Sequence, residues 1–182
     1  GGPGIARNDP DFMAAYIVNH ILGGGTLSTR LYKEVREKRG LVYSLSESLI
    51  WMKKSSLFAG STATRADKAK ETLDTIASEI ARMGNEGPTQ TELDEAKSYL
   101  KGSQMLALDT SSKFATALLQ YQLDDLGIDY IEKRNAVVDA VTLDAAKRVA
   151  KRIWGQGLLS VSVGRAAQAA AQPATGVAPK AN

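Results

Sequence analysis

The sequence of 182 residues contains no cysteine and a single histidine, His20. Without cysteine it has neither a disulfide framework nor a thiolate site, and cysteine usage therefore does not indicate whether the compartment is oxidising or reducing. One histidine, with no H-x-x-E-H motif and no His/Cys cluster around it, provides too few ligands for a zinc site built from this chain alone. We therefore interpret His20 as an ordinary helix residue.

Long apolar runs and a strong charge of one sign are also missing. No apolar segment approaches the ~20 residues that are needed to cross a bilayer. The 23 basic residues nearly balance the 20 acidic ones, and they are scattered along predicted helices rather than gathered in a block. This pattern disfavours nucleic acid binding, which would predict steeply salt-dependent retention of DNA. The length is that of one domain with a single core.

The two ends of the sequence differ from the rest. The first residue is not methionine, and residues 1–6 resemble the end of a strand, so we expect a fragment of a longer chain in which a signal peptide or a further domain is out of view. Residues 166–182 are mainly alanine, glutamine and proline, which predicts a disordered tail. The expected domain therefore spans residues 1–165.

Apolar spacing in the first third of the chain predicts two helices followed by a hairpin. The first helix ends at the glycines of residues 23–25, and the second ends at Gly40, which suits a left-handed C-terminal position. Candidate N-caps are Asp9 or Asp11 for the first helix, and Thr26 or Ser28 for the second. Period-two alternation then predicts a strand over residues 41–52 with Leu41, Tyr43, Leu45, Leu49 and Trp51 on one face. A polar turn and a second strand at about residues 57–64 complete the hairpin.

The remainder of the chain is predicted to be mainly helical. Two capping boxes, Thr64 with Asp67 and Thr89 with Glu92, open the next two helices. A helix from Asp109 or Thr110 would place Phe114, Leu118 and Tyr121 inward and end at Gly127. Shorter helices follow near residues 130–138 and 142–153, and residues 158–163 read as a closing strand. The predicted fold is α+β with two layers, a mainly antiparallel sheet with helices packed on one face.

Arg36 and Tyr43 are the candidate functional residues, because they flank the corner where the second helix ends and the strand begins. This spacing can place a guanidinium beside a phenol at the mouth of a cleft. The alternative is that Arg36 is a solvated helix charge and that the ring of Tyr43 lies in the core. Glu34 and Glu47 are isolated carboxylates without an evident catalytic partner.

The glycines of residues 23–25 have two readings. They could cradle a phosphate at a helix N-terminus, but no P-loop lysine follows and no strand precedes them. A tight turn between two helices explains them better.

Several segments together resemble the C-terminal domain of bacterial M16 metallopeptidases, the pitrilysin or insulinase type. They occur in the expected order over residues 1–164: Asp9–Phe12, Leu22–Gly25, Ser28–Leu31, Glu34–Tyr43, Thr89–Lys97 and Val161–Gly164. In that family two homologous α+β domains face each other, and the N-terminal one carries zinc on an H-x-x-E-H motif. The resemblance implies that the first strand and the zinc-bearing half are missing here.

The resemblance also implies roles for residues and partners. Arg36 and Tyr43 match the pair with which the family's C-terminal domain holds substrate. The expected function is the non-catalytic, substrate-binding half of an M16-type zinc metalloendopeptidase, which helps enclose peptide substrates and stabilises the transition state with Arg36 and Tyr43. Zinc is expected only in the parent or partner domain. Expected partners are a peptide or unfolded protein substrate and a homologous H-x-x-E-H domain, in the same chain or in a partner subunit, forming a dimer of domains. The alternative is a peptidase-derived binding or assembly module without proteolytic activity.

Overall fold

A three-stranded antiparallel sheet with helices against one face forms the fold of the described residues, which are 1–25 and 27–164 of this computed structural model. The strand order is β1-β3-β2. The elements, in chain order, are β1 (Gly2–Pro3), α1 (Phe12–Asn19), a first π-helix (His20–Gly24), a second π-helix (Tyr32–Glu37), β2 (Val42–Trp51), β3 (Ser56–Thr64), a 3₁₀ turn (Ala66–Lys68), α2 (Ala69–Glu86), α3 (Gln90–Ala107), α4 (Ser111–Leu123), α5 (Tyr130–Asp139) and α6 (Leu143–Trp154). The predicted tail at 166–182 lies outside the described residues.

The β2–β3 hairpin separates a buried face from a solvated one. Glu47 and Leu49 of β2 are buried, whereas Ser46 and Ser48, which alternate with them along the strand, are exposed. Because side chains alternate along a strand, one face of the sheet packs on the helices and the other meets water. The predicted two-layer α+β architecture is confirmed.

The core lies between this face and the helices. Trp154 at the end of α6 is fully buried, and its ring centroid lies 5.9 Å from that of Phe58 on β3. Ile17 of α1 is also fully buried. At the surface, Asp9 and Arg152 form an ion pair that ties the start of α1 to α6.

A β-bulge interrupts β2 near its start and changes the predicted strand faces. Val42 pairs with Thr64 and Leu45 pairs with Thr62, so β2 has one residue more than β3 over this stretch. As a result Val42 is buried and Tyr43 is 86% exposed. The prediction that Tyr43 shares the face of Leu45 was wrong, because an inserted residue shifts the alternation locally.

Helix ends follow the predicted chemistry in part. Gly40 adopts a left-handed φ of 59°, and the amide of Leu41 donates to the carbonyl of Val35, which closes the second π-helix as predicted. The hydroxyl of Thr29, which the sequence does not single out, accepts the amide of Tyr32 at the start of this segment.

The two predicted capping boxes have different outcomes. Thr89 and Glu92 exchange their backbone-to-side-chain hydrogen bonds as predicted. The Thr64–Asp67 box was wrong. The Thr64 hydroxyl donates to the carbonyl of Leu41, and the Asp67 carboxylate pairs with Arg65.

Two further predictions need correction. α4 begins after its cap Thr110 as expected, but it ends at Leu123 rather than at Gly127 and it has no fully buried residue. Phe114, predicted to face inward, is 42% exposed.

Residues 158–163 do not form the predicted closing strand. Leu159 exchanges two backbone hydrogen bonds with Gly1, of 2.8 and 2.9 Å, and the pairing goes no further. A cavity of about 940 Å³ lies between β3, α2 and residues 158–164.

Candidate functional site

Arg36 and Tyr43 are brought together at the corner between the second π-helix and β2. The guanidinium carbon of Arg36 lies 5.5 Å from the centroid of the Tyr43 ring. Arg36 is half-buried and Tyr43 is largely exposed, so the pair faces solvent from a supported position. The structure therefore has the predicted juxtaposition and excludes the alternative in which the Tyr43 ring is buried.

Local backbone geometry explains this placement. The second π-helix is anchored by fully buried Val35, which holds its neighbour Arg36 at the edge of the core. The left-handed Gly40 then turns the chain into β2, where the bulge directs Tyr43 outward. Both π-helical segments and β-bulges recur beside functional sites because they change the direction of individual side chains.

The polar groups of the pair are unengaged. Within the described part of the chain, neither the Arg36 guanidinium nor the Tyr43 hydroxyl has a hydrogen-bond or ion-pair partner. The nearby carboxylate of Glu34 is bound by Lys38 and Arg39 instead, and these two cations lower the pKa of Glu34 to about 2. The site thus presents a cationic fork and a phenol that remain available to a ligand.

A cavity of about 330 Å³ adjoins the pair, and Gly23 and Gly25 of the glycine corner are part of its lining. A Cβ on Gly24 would lie 2.0 Å from Nδ2 of Asn19, and one on Gly23 would lie 2.9 Å from Cβ of Glu47. Neighbouring groups therefore approach the corner so closely that a larger side chain would not fit without a shift. The cavity is lined by Gly23, Gly25, Leu27, Thr29, Tyr32, Arg36, Tyr43, Ser44 and Leu45.

The sequence did not single out Tyr32, which also lines this cavity. The guanidinium carbon of Arg36 lies 4.7 Å from the centroid of the Tyr32 ring. The signal that could have identified Tyr32 is its spacing of four residues from Arg36, which places both on one side of a helix.

Glu47, predicted to be an isolated carboxylate, lies behind the glycine corner. It is only 3% exposed, and neither of its carboxylate oxygens has a hydrogen-bond partner among the described residues. Burial raises the pKa of Glu47 to about 8, against smaller opposing effects of the Trp154 indole and the α-amino group of Gly1. The alternation of the predicted strand places Glu47 on the same face as Leu45 and Leu49, and this position could have revealed its burial.

The residues present do not fit a metal site. In residues 1–25 and 27–164, no group of three or more His, Asp or Glu side chains is arranged to hold a metal ion. The His20 ring stacks on Tyr99 with centroids 4.9 Å apart, and burial lowers its pKa. None of the helices described is both long and apolar enough for a membrane span.

Comparison with known proteins identifies the family. The protein-family model described as the Peptidase M16 inactive domain matches residues 1–100. The chain belongs to this family, as the resemblance of its motifs predicted.

Individual relatives agree with this assignment. The chain is 31% identical over 159 residues to an uncharacterized zinc protease of Streptomyces coelicolor, a match that covers 86% of this chain and 34% of the relative. It is 27% identical over 111 residues to a non-peptidase homolog of Helicobacter pylori, covering 61% of this chain and 26% of the relative. The chain thus spans about a third or less of the length of these curated relatives.

A solved structure supports the fold. The peptidase M16 inactive domain from Pseudomonas fluorescens superimposes with a TM-score of 0.75 at 34% identity, over 83% of this chain and 36% of that one. The chain is thus an inactive M16 peptidase-like domain, similar to proteins named as zinc proteases.

Proposed function

We propose that this chain is the substrate-binding half of an M16-type zinc metalloendopeptidase, which helps enclose a peptide and holds it through Arg36 and Tyr43. The observation that carries the proposal is the pairing of a half-buried guanidinium with an exposed phenol, neither of which has a hydrogen-bond or ion-pair partner in the described chain. A homologous domain with an H-x-x-E-H motif, in the same chain or in a partner subunit, would supply the zinc and form a dimer of domains.

The chemistry of the two groups suits peptide binding. A guanidinium presents five N–H donors in a fixed planar fork, so it can bind several carbonyl oxygens of an extended peptide at once. During hydrolysis negative charge develops on the oxygen of the attacked carbonyl, and a nearby phenol O–H or guanidinium N–H stabilises that charge. The exposed position of Tyr43 lets its hydroxyl reach a ligand that lies outside this domain.

Substitution in the full protein tests this role. We expect Arg36→Ala and Tyr43→Phe each to lower kcat/KM for a peptide substrate by about 100-fold, which is typical when one donor to a developing oxyanion is removed. Zinc content should stay at the wild-type value in both variants, because neither residue is a metal ligand.

Matched controls exist within the chain. Arg39→Ala removes an arginine that pairs with Glu34, and Tyr99→Phe removes a hydroxyl beside His20. Both controls should retain wild-type turnover. If Arg36→Ala and Tyr43→Phe also retain it, the assigned role is wrong.

A binding or assembly module is the second candidate function. It is favoured by the similarity to a protein named as a non-peptidase homolog. An H-x-x-E-H motif in the parent gene, or in an adjacent gene for a partner subunit, supports the peptidase; its absence from both supports the module. A module would bind its partner with an affinity that is independent of zinc.

A further inference from the structure

We propose that Tyr32 is a positioning residue whose ring holds the Arg36 guanidinium towards Tyr43 and the glycine-lined cavity. This inference deepens the proposed function and depends on it for its effect on turnover. The arrangement of the three side chains, however, can be measured independently of any activity.

The geometry separates the roles of the two rings. The Arg36 guanidinium carbon lies closer to the ring of Tyr32, at 4.7 Å, than to that of Tyr43, at 5.5 Å. Both distances are within the range of cation–π attraction. Tyr32 is half-buried, whereas Tyr43 is 86% exposed and has few neighbours to fix its own ring. Tyr32 is therefore the ring that can act as a fixed support.

The backbone holds Tyr32 in place. Its amide donates to the Thr29 hydroxyl at 3.3 Å, at the start of the second π-helix. The fully buried side chain of Val35 anchors the same segment between Tyr32 and Arg36. The ring and the guanidinium are thus carried on one short, internally supported element.

Arg36 needs such a support because no charge or hydrogen bond from the described residues fixes it. The neighbouring Glu34 is engaged by Lys38 and Arg39. An unrestrained arginine occupies many rotamers and loses that freedom when it binds a ligand. A ring that restricts the guanidinium in advance reduces this loss and increases the share of molecules that are ready to bind.

The first experiment measures the arrangement directly. In the full protein labelled with ¹⁵N-arginine, the Arg36 Nε–H proton should show an upfield ring-current shift, assigned by its disappearance in Arg36→Lys. Tyr32→Phe keeps the ring and should preserve the shift, whereas Tyr32→Leu should return the signal to the range of solvated arginines. An unshifted wild-type signal would overturn the inference even if Tyr32→Leu failed to fold. A shifted signal that persists in Tyr32→Leu would also overturn it.

The second experiment measures the consequence for turnover. We expect Tyr32→Leu to lower kcat/KM by about 2- to 30-fold, the range that corresponds to loss of one cation–π contact, and Tyr32→Phe to leave it unchanged. If Arg36→Ala itself leaves turnover unchanged, the proposed function fails, and the NMR shift alone decides the role of Tyr32. If Arg36→Ala is impaired but Tyr32→Leu is not, the positioning role is wrong.

Discussion

Glu47 carries an ionisable group into the apolar layer between sheet and helices. Its carboxylate lies beside Gly23 at the corner of the candidate site and close to the Trp154 indole, yet it has no hydrogen-bond partner in the described chain. An unpaired charge is costly to bury, so the neutral acid is favoured and the pKa rises to about 8. The protonation of one side chain is therefore coupled to the stability of the fold.

This coupling predicts that stability falls as pH rises. The pKa of Glu47 is raised on folding. The stability contributed by the neutral carboxyl is therefore fully present below the pKa of the unfolded state, near 4.3, and is lost as pH rises towards 8. Glu47→Gln should remove this dependence and exceed wild-type stability at pH 8 by an amount on the order of a few kcal/mol. Urea unfolding of both proteins at pH 5, 6.5 and 8 measures the free energy of unfolding that tests this prediction.

The exposed Glu95→Gln on α3 is the matched control and should keep the wild-type slope. An equal decline with pH in Glu47→Gln and wild type would show that this carboxyl does not control stability.

At the scale of elements, a forked ion pair joins the second π-helix region to the start of α3. Nε and Nη2 of Arg30 each donate to a carboxylate oxygen of Glu92 at 2.6 Å, and Nη2 also donates to the Gly87 carbonyl at 3.0 Å. Burial alone would raise the pKa of Glu92, but the Arg30 guanidinium and the Thr89 amide outweigh it and lower the pKa to about 2. One arginine thus fixes the segment that leads to Arg36 against a helix more than fifty residues away in sequence.

Arg30→Lys should therefore destabilise the chain by about 1.5–3 kcal/mol at pH 7, because lysine cannot reproduce the bidentate geometry. The pKa of Glu92 is lowered on folding, so the pair's contribution is present above the unfolded value and is lost as pH falls towards 2. Chemical unfolding of wild type and Arg30→Lys should show that their free energies of unfolding differ less at pH 3 than at pH 7.

Arg65→Lys provides the comparison, since Arg65 forms the same fork with Asp67 but both side chains are more than half exposed. Exposed pairs typically contribute 1 kcal/mol or less, so this variant should remain near wild type. Equal losses in the two variants would contradict the structural role of Arg30.

These elements also show what local sequence could predict. The left-handed Gly40 and the Thr89–Glu92 capping box depend only on residues within one helical turn. Both could therefore be predicted from the sequence, and both predictions were confirmed. The bulge that exposes Tyr43 depends on how β2 pairs with β3, and strict alternation from Leu41 placed Tyr43 on the wrong face. The Thr64–Asp67 box failed for a similar reason, because Leu41, distant in sequence, takes the Thr64 hydroxyl.

The candidate site follows the same division. The spacing of Arg36 and Tyr43 indicated a guanidinium and a phenol at one corner, and the structure has them 5.5 Å apart. The position of Tyr32 depends on the π-helical winding, and the burial of Glu47 depends on long-range packing. The spacing of Tyr32 from Arg36 and the place of Glu47 on an apolar strand face are only weak signals, so the ring contact and the burial became evident in the three-dimensional structure.

At the scale of the whole molecule, the cavity beside Arg36 presents hydrogen-bond donors but, among the described residues that line it, no acidic or histidine side chain. The cavity beside Arg36 is lined by glycine, hydroxyl, apolar, phenol and guanidinium groups, without a carboxylate or an imidazole. These two groups are the side chains that most often act as the general base towards water near neutral pH. The lone histidine lies on the first π-helix against Tyr99, outside that lining.

The isolated 182-residue chain should accordingly show no peptide hydrolysis above background, with or without added zinc, because its described residues have no metal site and the cavity has neither a carboxylate nor an imidazole in its described lining. After exposure to equimolar zinc and desalting, it should retain well below one zinc per chain by elemental analysis. The full protein, assayed in parallel, provides the positive control for both measurements. Chelator-sensitive hydrolysis by the isolated chain that His20→Ala abolishes would show that the chain builds its own metal centre, and the assignment as a substrate-binding half would then be wrong.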